Sequence, residues 1–242
     1  MRFACSTASF PEDRLEIAIA KTGWAGYDGV ELPFPAELPT EDELRYYLRA
    51  NELELAAIHA GVLPLGGEAA LAELARLGRS AALTRALDGA VIVVTAPAEG
   101  ALEALLSSLR LLDRALRDVA VDVCLAHRTG TLLPDPGALA ELWSLRLPER
   151  VGLALDPGQA LLAGWDPLEL EALPELPRHV YLTDAAGGRP VPPGEGALDL
   201  DCLGAALRTN GYGGSVVLRL ENADPWAVEP LAKELRELMG GW

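Results

Sequence analysis

Residues able to move protons or hold anions stand at the ends of short apolar runs in this chain. Glu31 lies in Gly29–Leu32, His59 follows Leu53–Ile58, and His127 with Arg128 follows Val121–Leu125. Asp156 follows Val151–Leu155 with Gln159 three residues on; Tyr181 lies within His179–Thr183 and Asp184 comes next. Arg219 and Glu221 end the last such run, Ser215–Leu220 and the residue after it. Carboxylates and imidazoles in a pocket can exchange protons, and a carboxylate raised by burial is a general base near neutral pH. A guanidinium grips a carboxylate or phosphate through two parallel N–H···O bonds. Each residue also has a plain structural use. Glu31 could pair with a neighbouring loop, His59 could be a satisfied core histidine, Arg128 a surface ion-pair partner, and Asp184 an anchor for its loop.

The elements that must carry these groups alternate. Eight β-rich runs, beginning with Arg2–Ser6 and including Ala90–Val94, are separated by stretches of helical pattern. Most runs are apolar throughout, as parallel strands covered on both faces are. Thr40 with Glu43 predicts a capping box. Asp135-Pro136, Asp166-Pro167 and Asp224-Pro225 each predict an N-cap followed by a first-turn proline. Leu102, Leu105, Leu106, Leu109, Leu112 and Leu116 fall on one helical face. Eight such units in a chain of 242 residues predict one closed (β/α)8 barrel over residues 1–242. A doubly wound sheet is the rival, but no glycine-rich phosphate turn follows the first run. In a barrel the chemistry belongs to loops at the C-terminal strand ends, where the residues above fall. Alternation puts Arg219 and Glu221 on one face, and His179, Tyr181 and Thr183 on another shared face. The stretch Gly187–Gly196 reads as a functional loop.

Composition excludes other classes. Half the residues are hydrophobic and 23% charged, which rules out a disordered chain or a coiled-coil rod. The net charge of −16 opposes binding to nucleic acid and to anionic membranes. No apolar run is long enough to span a bilayer and no secretory h-region opens the chain, so a cytoplasmic protein is expected. Cys5, Cys124 and Cys202 lack the spacing of a disulfide frame or zinc site.

Five segments carry a family likeness: GYDGVEL (Gly26–Leu32), AAIHAG (Ala56–Gly61), LAHRTGTLL (Leu125–Leu133), VGLALDPGQALLAG (Val151–Gly164), and HVYLTD with PGEGALDLDC and the sequence on to Glu221. In this order the chain resembles the xylose isomerase-like barrels, the superfamily of sugar isomerases, epimerases and endonuclease IV. The resemblance implies a divalent manganese or magnesium ion held by Glu, Asp, His and Glu after or on strands five to eight. It implies a carboxylate that carries a proton between adjacent carbons of a sugar. The four ligand positions fall here on Ala126, Asp156, Tyr181 and Arg219, and a further family histidine falls on Gln159. Glu31 falls where relatives place a carboxylate beside the substrate, and His59 where they contact sugar hydroxyls. Asp199 of the GEG-x-x-D stretch is expected to cap the seventh helix, and Trp165 and Trp226 lie near the mouth.

Charge decides what those departures imply. Two glutamates and an aspartate leave one negative charge with a dication bound; Ala126, Asp156, Tyr181 and Arg219 balance to zero with none. Arginine cannot deprotonate to become a ligand, and beside a dication in a low-dielectric site it costs several kcal/mol. Oxygen-seeking ions also need several carboxylates. The metal is therefore expected to be lost, unless Glu221 or His179, two positions along their strands, turns inward to replace a ligand. The expected function is isomerase- or epimerase-like chemistry on a small polar or anionic carbohydrate, with no cofactor. Arg219 would stabilise an enediolate, Glu31 carry the proton, and Tyr181 donate a hydrogen bond. His59, Arg128, Asp156, Gln159, Asp184 and Glu221 would bind substrate. The alternative is a non-catalytic sugar or sugar-acid binding module. Endonuclease chemistry conflicts with three histidines and the acidic charge. A small-molecule substrate is the expected partner, with homodimerisation the one assembly the resemblance suggests.

Overall fold

The computed structural model describes residues 1–33 and 39–220, with residues 228, 231 and 234 beyond them. Its strands are β1 (Arg2–Ser6), β2 (Gly29–Pro33), β3 (Glu54–Val62), β4 (Val91–Thr95), β5 (Asp122–Ala126), β6 (Val151–Leu155), β7 (His179–Leu182), β8 (Asp184–Ala186), β9 (Arg189–Val191) and β10 (Ser215–Leu218). All but β8 and β9 pair in parallel and close a barrel in the order β1-β10-β7-β6-β5-β4-β3-β2. Helices α1 (Leu15–Trp24), α2 (Glu41–Ala50), α3 (Gly67–Ala86), α4 (Leu102–Ala115), α5 (Pro136–Ser144), α6 (Pro157–Ala163) and α7 (Leu200–Thr209) connect them. This is a (β/α)8 barrel. Among the described residues, no helix is long and apolar enough to cross a membrane.

Local chemistry accounts for the helix starts. Thr40 and Glu43 form the full capping box of α2, and Asp135 accepts the Ala138 N–H ahead of Pro136 in α5. Asp199 caps α7 through the Cys202 N–H. Asp166-Pro167 departs from expectation. No α-helix starts there; a single 3-10 turn, Leu170–Ala172, follows. Pro174 and Pro177 exclude a continuing helix, since each lacks the N–H and restricts the residue before it. The Asp224-Pro225 cap, Glu221 and Trp226 lie outside the described residues.

The helices pack on the outside of the barrel through a large leucine-rich core, in which the α4 face of Leu105, Leu109 and Leu112 is wholly buried. Inside the barrel the packing is different. Ala4, Ala57, Ala126 and Ala154 face Val93, Cys124, Val217 and a single large ring, Tyr181. Barrel interiors are ordinarily filled by bulky branched side chains. Four alanines leave volume for polar groups, and Glu31, His179 and Tyr181 take it up.

Candidate active site

Strand alternation places the key groups on one inward surface. Glu31 sits on β2 opposite Ser6 of β1, His59 two residues beyond the inward Ala57, and Arg219 two beyond the inward Val217. His179 and Tyr181 share the inward face of β7, with ring centroids 4.8 Å apart and edge to face. The Arg219 guanidinium lies over the Tyr181 ring, 5.6 Å from its centroid, a cation–π arrangement.

Glu31 is the centre of this cluster and is fully buried. Its Oε2 accepts the Tyr181 hydroxyl at 2.8 Å and lies 3.4 Å from His179 Nε2. The histidine contact is at ion-pair distance without hydrogen-bond geometry, and Glu31 Oε1 has no hydrogen-bond partner among the described residues. The expectation that burial raises Glu31 into the range of a general base fails. Burial does push it upward, but His179, His59 and Arg219 together hold its carboxyl down at about 2. Glu31 is therefore an ionised carboxylate across the physiological range. Tyr181 moves the other way: burial and the Glu31 charge hold its phenol well above the usual value, so it keeps its proton. His59 is half-buried, 3.5 Å from Thr95 Oγ1, and burial lowers it to about 4 despite the pull of Glu31. Its imidazole is neutral at pH 7.

Asp156 begins α6 and acts as its N-cap, accepting the Gln159 N–H at 3.0 Å. The same Oδ1 accepts the Thr183 hydroxyl at 2.5 Å. Gly158 makes this possible, because a Cβ there would lie 3.0 Å from Thr183 Oγ1. Burial raises the Asp156 carboxyl, while Thr183, the Gln159 N–H, Arg219 and Arg128 pull it back. Its own N–H donates to His127 Nε2 at 3.0 Å, which makes Nδ1 the protonated nitrogen of a neutral ring. Burial lowers His127 to about 4, and its ring packs on Trp165 at 5.0 Å. Trp165 is itself tied down through its Nε1, which donates to Pro134 O.

Two expected substrate ligands have structural partners instead. Gln159 is buried; its Oε1 accepts the Thr129 N–H, joining α6 to the loop after β5. Asp184 accepts four backbone N–H groups, from Ala185, Gly194, Gly196 and Leu198. It thereby folds the stretch that reads as a functional loop, part of which is the β8–β9 hairpin. A Cβ on Gly196 would lie 2.1 Å from Asp184 Oδ1 and 2.7 Å from Ala185 O. Gly196→Ala should thus cost about 2–4 kcal/mol, the sum of overpacking and lost charge-assisted bonds, read as a lowered Tm. A Tm within one degree of the parent would show that the hub yields freely.

Asp156 and Arg219 line a small cavity together with Thr183 and Gln159. The donor set at the mouth does not suit a divalent ion. Ala126 offers no ligand, Asp156 Oδ1 is already shared between a cap and a hydroxyl, the Tyr181 proton is committed to Glu31, and Arg219 is a cation. His179 does face inward, but lower in the barrel and against Glu31. Among the described residues no group of three His, Cys, Asp or Glu side chains could hold a metal.

The alternation in HVYLTD predicts His179 and Thr183 on the Tyr181 face, but their partners, Glu31 on β2 and Asp156 at the start of α6, lie elsewhere in the chain.

Comparison with known proteins agrees with this architecture. The sequence profile of the family described as xylose isomerase-like TIM barrel matches residues 19–240. An inosose dehydratase of Lacticaseibacillus casei is 26% identical over 147 residues, covering 52% of this chain and 49% of that protein. The chain thus spans about half the length of the curated relatives it matches. Among solved structures, a D-tagatose 3-epimerase-like protein superposes with a TM-score of 0.82 at 20% identity, covering 100% of this chain and 99% of the other. A 3-keto-D-glucoside 4-epimerase from E. coli gives 0.82 at 19% identity, over 98% and 99%. A probable 3-DHS dehydratase from Bacillus anthracis gives 0.77 at 17%, over 97% and 98%.

Proposed function

Because the chain belongs to the xylose isomerase-like TIM barrel family, we propose that it rearranges a small polar or anionic carbohydrate by proton transfer, without a divalent ion. The observation that carries this reading is the Arg219 guanidinium, held over Tyr181 and sharing a cavity with Asp156. A fixed positive charge can stabilise an enediolate oxygen as it develops, and costs no reorganisation during the reaction. Arg128, close enough to Asp156 to act on its charge, adds a second cation for an anionic substituent. His59 takes the proton in place of Glu31. It is neutral and half-buried, whereas Glu31 is sealed and serves as the counter-charge that stabilises the imidazolium formed. A base lowered to about 4 makes proton abstraction slow, so modest turnover is expected. The inosose dehydratase and epimerase likenesses support a carbohydrate with a carbonyl, such as a ketose, keto-acid or cyclitol ketone.

Chelator-treated protein should exchange a carbon-bound proton of such a compound for deuterium in D2O, followed by NMR. Exchange that stops on chelation and returns with manganese would sink the metal-free reading. The sealed Glu31 also favours a second reading, a non-catalytic binding module, because it removes one obvious proton carrier. A ligand that raises the Tm but shows no exchange over days would establish that reading instead.

A further inference from the structure

The N-terminal end of the barrel, away from the site above, opens into a cavity of about 610 Å³. Four arginines reach it from three elements: Arg2 at the start of β1, Arg45 and Arg49 on α2, and Arg178 just ahead of β7. Glu54 and Asp88 are the carboxylates in its wall. Small residues, Ala56, Ala90 and Gly214, line it where bulky side chains close most barrels.

Ion pairs account for three of the arginines. Arg2 meets Glu54, Arg45 meets Glu41 and Asp88, and Arg178 meets Asp122 and Glu175. Arg49 is exposed and has no ion-pair partner among the described residues. The Arg178 ion pairs are loose, at 3.5 and 3.7 Å, so Arg49 and Arg178 are the cations of the wall least compensated by carboxylates, in a chain of net charge −16. The volume suits a compound of metabolite size. At the floor lies His179, buried, whose Nε2 on the inner side is the ion-pair partner of Glu31. One imidazole therefore separates this cavity from the carboxylate of the C-terminal cluster.

We propose that this cavity is a second ligand site, taking a small anion with phosphoryl or clustered carboxylate groups, which Arg49 and Arg178 grip through forked N–H···O bonds. An anion bound there touches the wall formed by His179 and is sensed at Glu31. This site does not depend on the reading of the opposite mouth.

Calorimetric titration of the full chain at low ionic strength, with inorganic pyrophosphate and separately with citrate, tests it. One site per chain is expected, weakened at least tenfold by Arg49→Glu, since a charge-assisted bond is replaced by repulsion, and unchanged by Arg219→Ala. The His179 ring resonances should shift during the titration. The tighter of the two probes identifies phosphoryl or carboxylate as the recognised group. No binding of either probe, or binding lost in Arg219→Ala and unaffected by Arg49→Glu, would overturn the proposal. Arg49 is exposed, so its replacement leaves the fold intact and a negative result stays informative.

Discussion

Arg219→Ala is expected to lower kcat/KM for the barrel's carbohydrate substrate by 100- to 1,000-fold while the protein stays folded. Removing one preorganised charge-stabilising donor costs about 3–4 kcal/mol in the transition state. Arg219 is only partly buried and lies above the inner cluster, so its loss leaves the strand ladder untouched. Arg219→Lys should recover part of the rate, because it restores the charge without the fork. An arginine that serves only to pack Tyr181 would give a different pattern: Lys and Ala alike in turnover, with both altered in Tm. Equal activity of parent and Arg219→Ala would remove Arg219 from the chemistry altogether.

The second large effect concerns stability. Glu31→Ala leaves the Tyr181 hydroxyl and the His179 imidazole buried without their shared partner, and breaking such a cluster costs about 3–5 kcal/mol. Glu31→Gln keeps an acceptor for Tyr181 but loses the charge, so an intermediate cost is expected. Urea denaturation at neutral pH reads both; a loss below about 1 kcal/mol for Glu31→Ala would show that the cluster contributes little.

The same groups set the response to acid. Glu31 falls from 4.5 to about 2 on folding, so its contribution is full above 4.5 and is lost as pH falls through about 2. Its size is roughly 3 kcal/mol. His127 falls from 6.5 to about 4. The unfolded chain therefore binds that proton first, and stability declines as pH drops from 6.5 through 4. Burial is the cause, because it disfavours the charged ring; a protonated His127 also cannot accept the Asp156 N–H. His127→Phe should flatten the slope of stability against pH between 6.5 and 4. An unchanged slope would place the titrating group elsewhere, with the half-buried His59 the next candidate.

The barrel was legible because its signals are local. Alternating apolar runs, the Thr40–Glu43 box and the Asp135 and Asp199 caps each depend on residues within one turn, and the strands appear within a few residues of where the runs predict them. The electrostatics were not legible in the same way. Whether burial or neighbouring charge governs Glu31 is decided by Tyr181, His179 and Arg219, which lie 148 or more positions away along the chain and meet it only when the barrel closes. Asp156 and Asp184 read as substrate ligands because loop carboxylates usually are exposed; here four backbone N–H groups take the lone pairs of Asp184, while Asp156 gives Oδ1 to the Gln159 N–H and the Thr183 hydroxyl. The arginine cavity has no sequence signature at all, since its residues come from positions 2, 45, 49 and 178.

Titration of the purified chain with manganese, followed by the loss of the free-ion electron paramagnetic signal, tests most directly whether a guanidinium has replaced the cation. No site should fill below millimolar manganese, while the double replacement Ala126→Glu with Arg219→Glu should create one. Stoichiometric micromolar binding to the parent chain, abolished by Asp156→Asn, would contradict it.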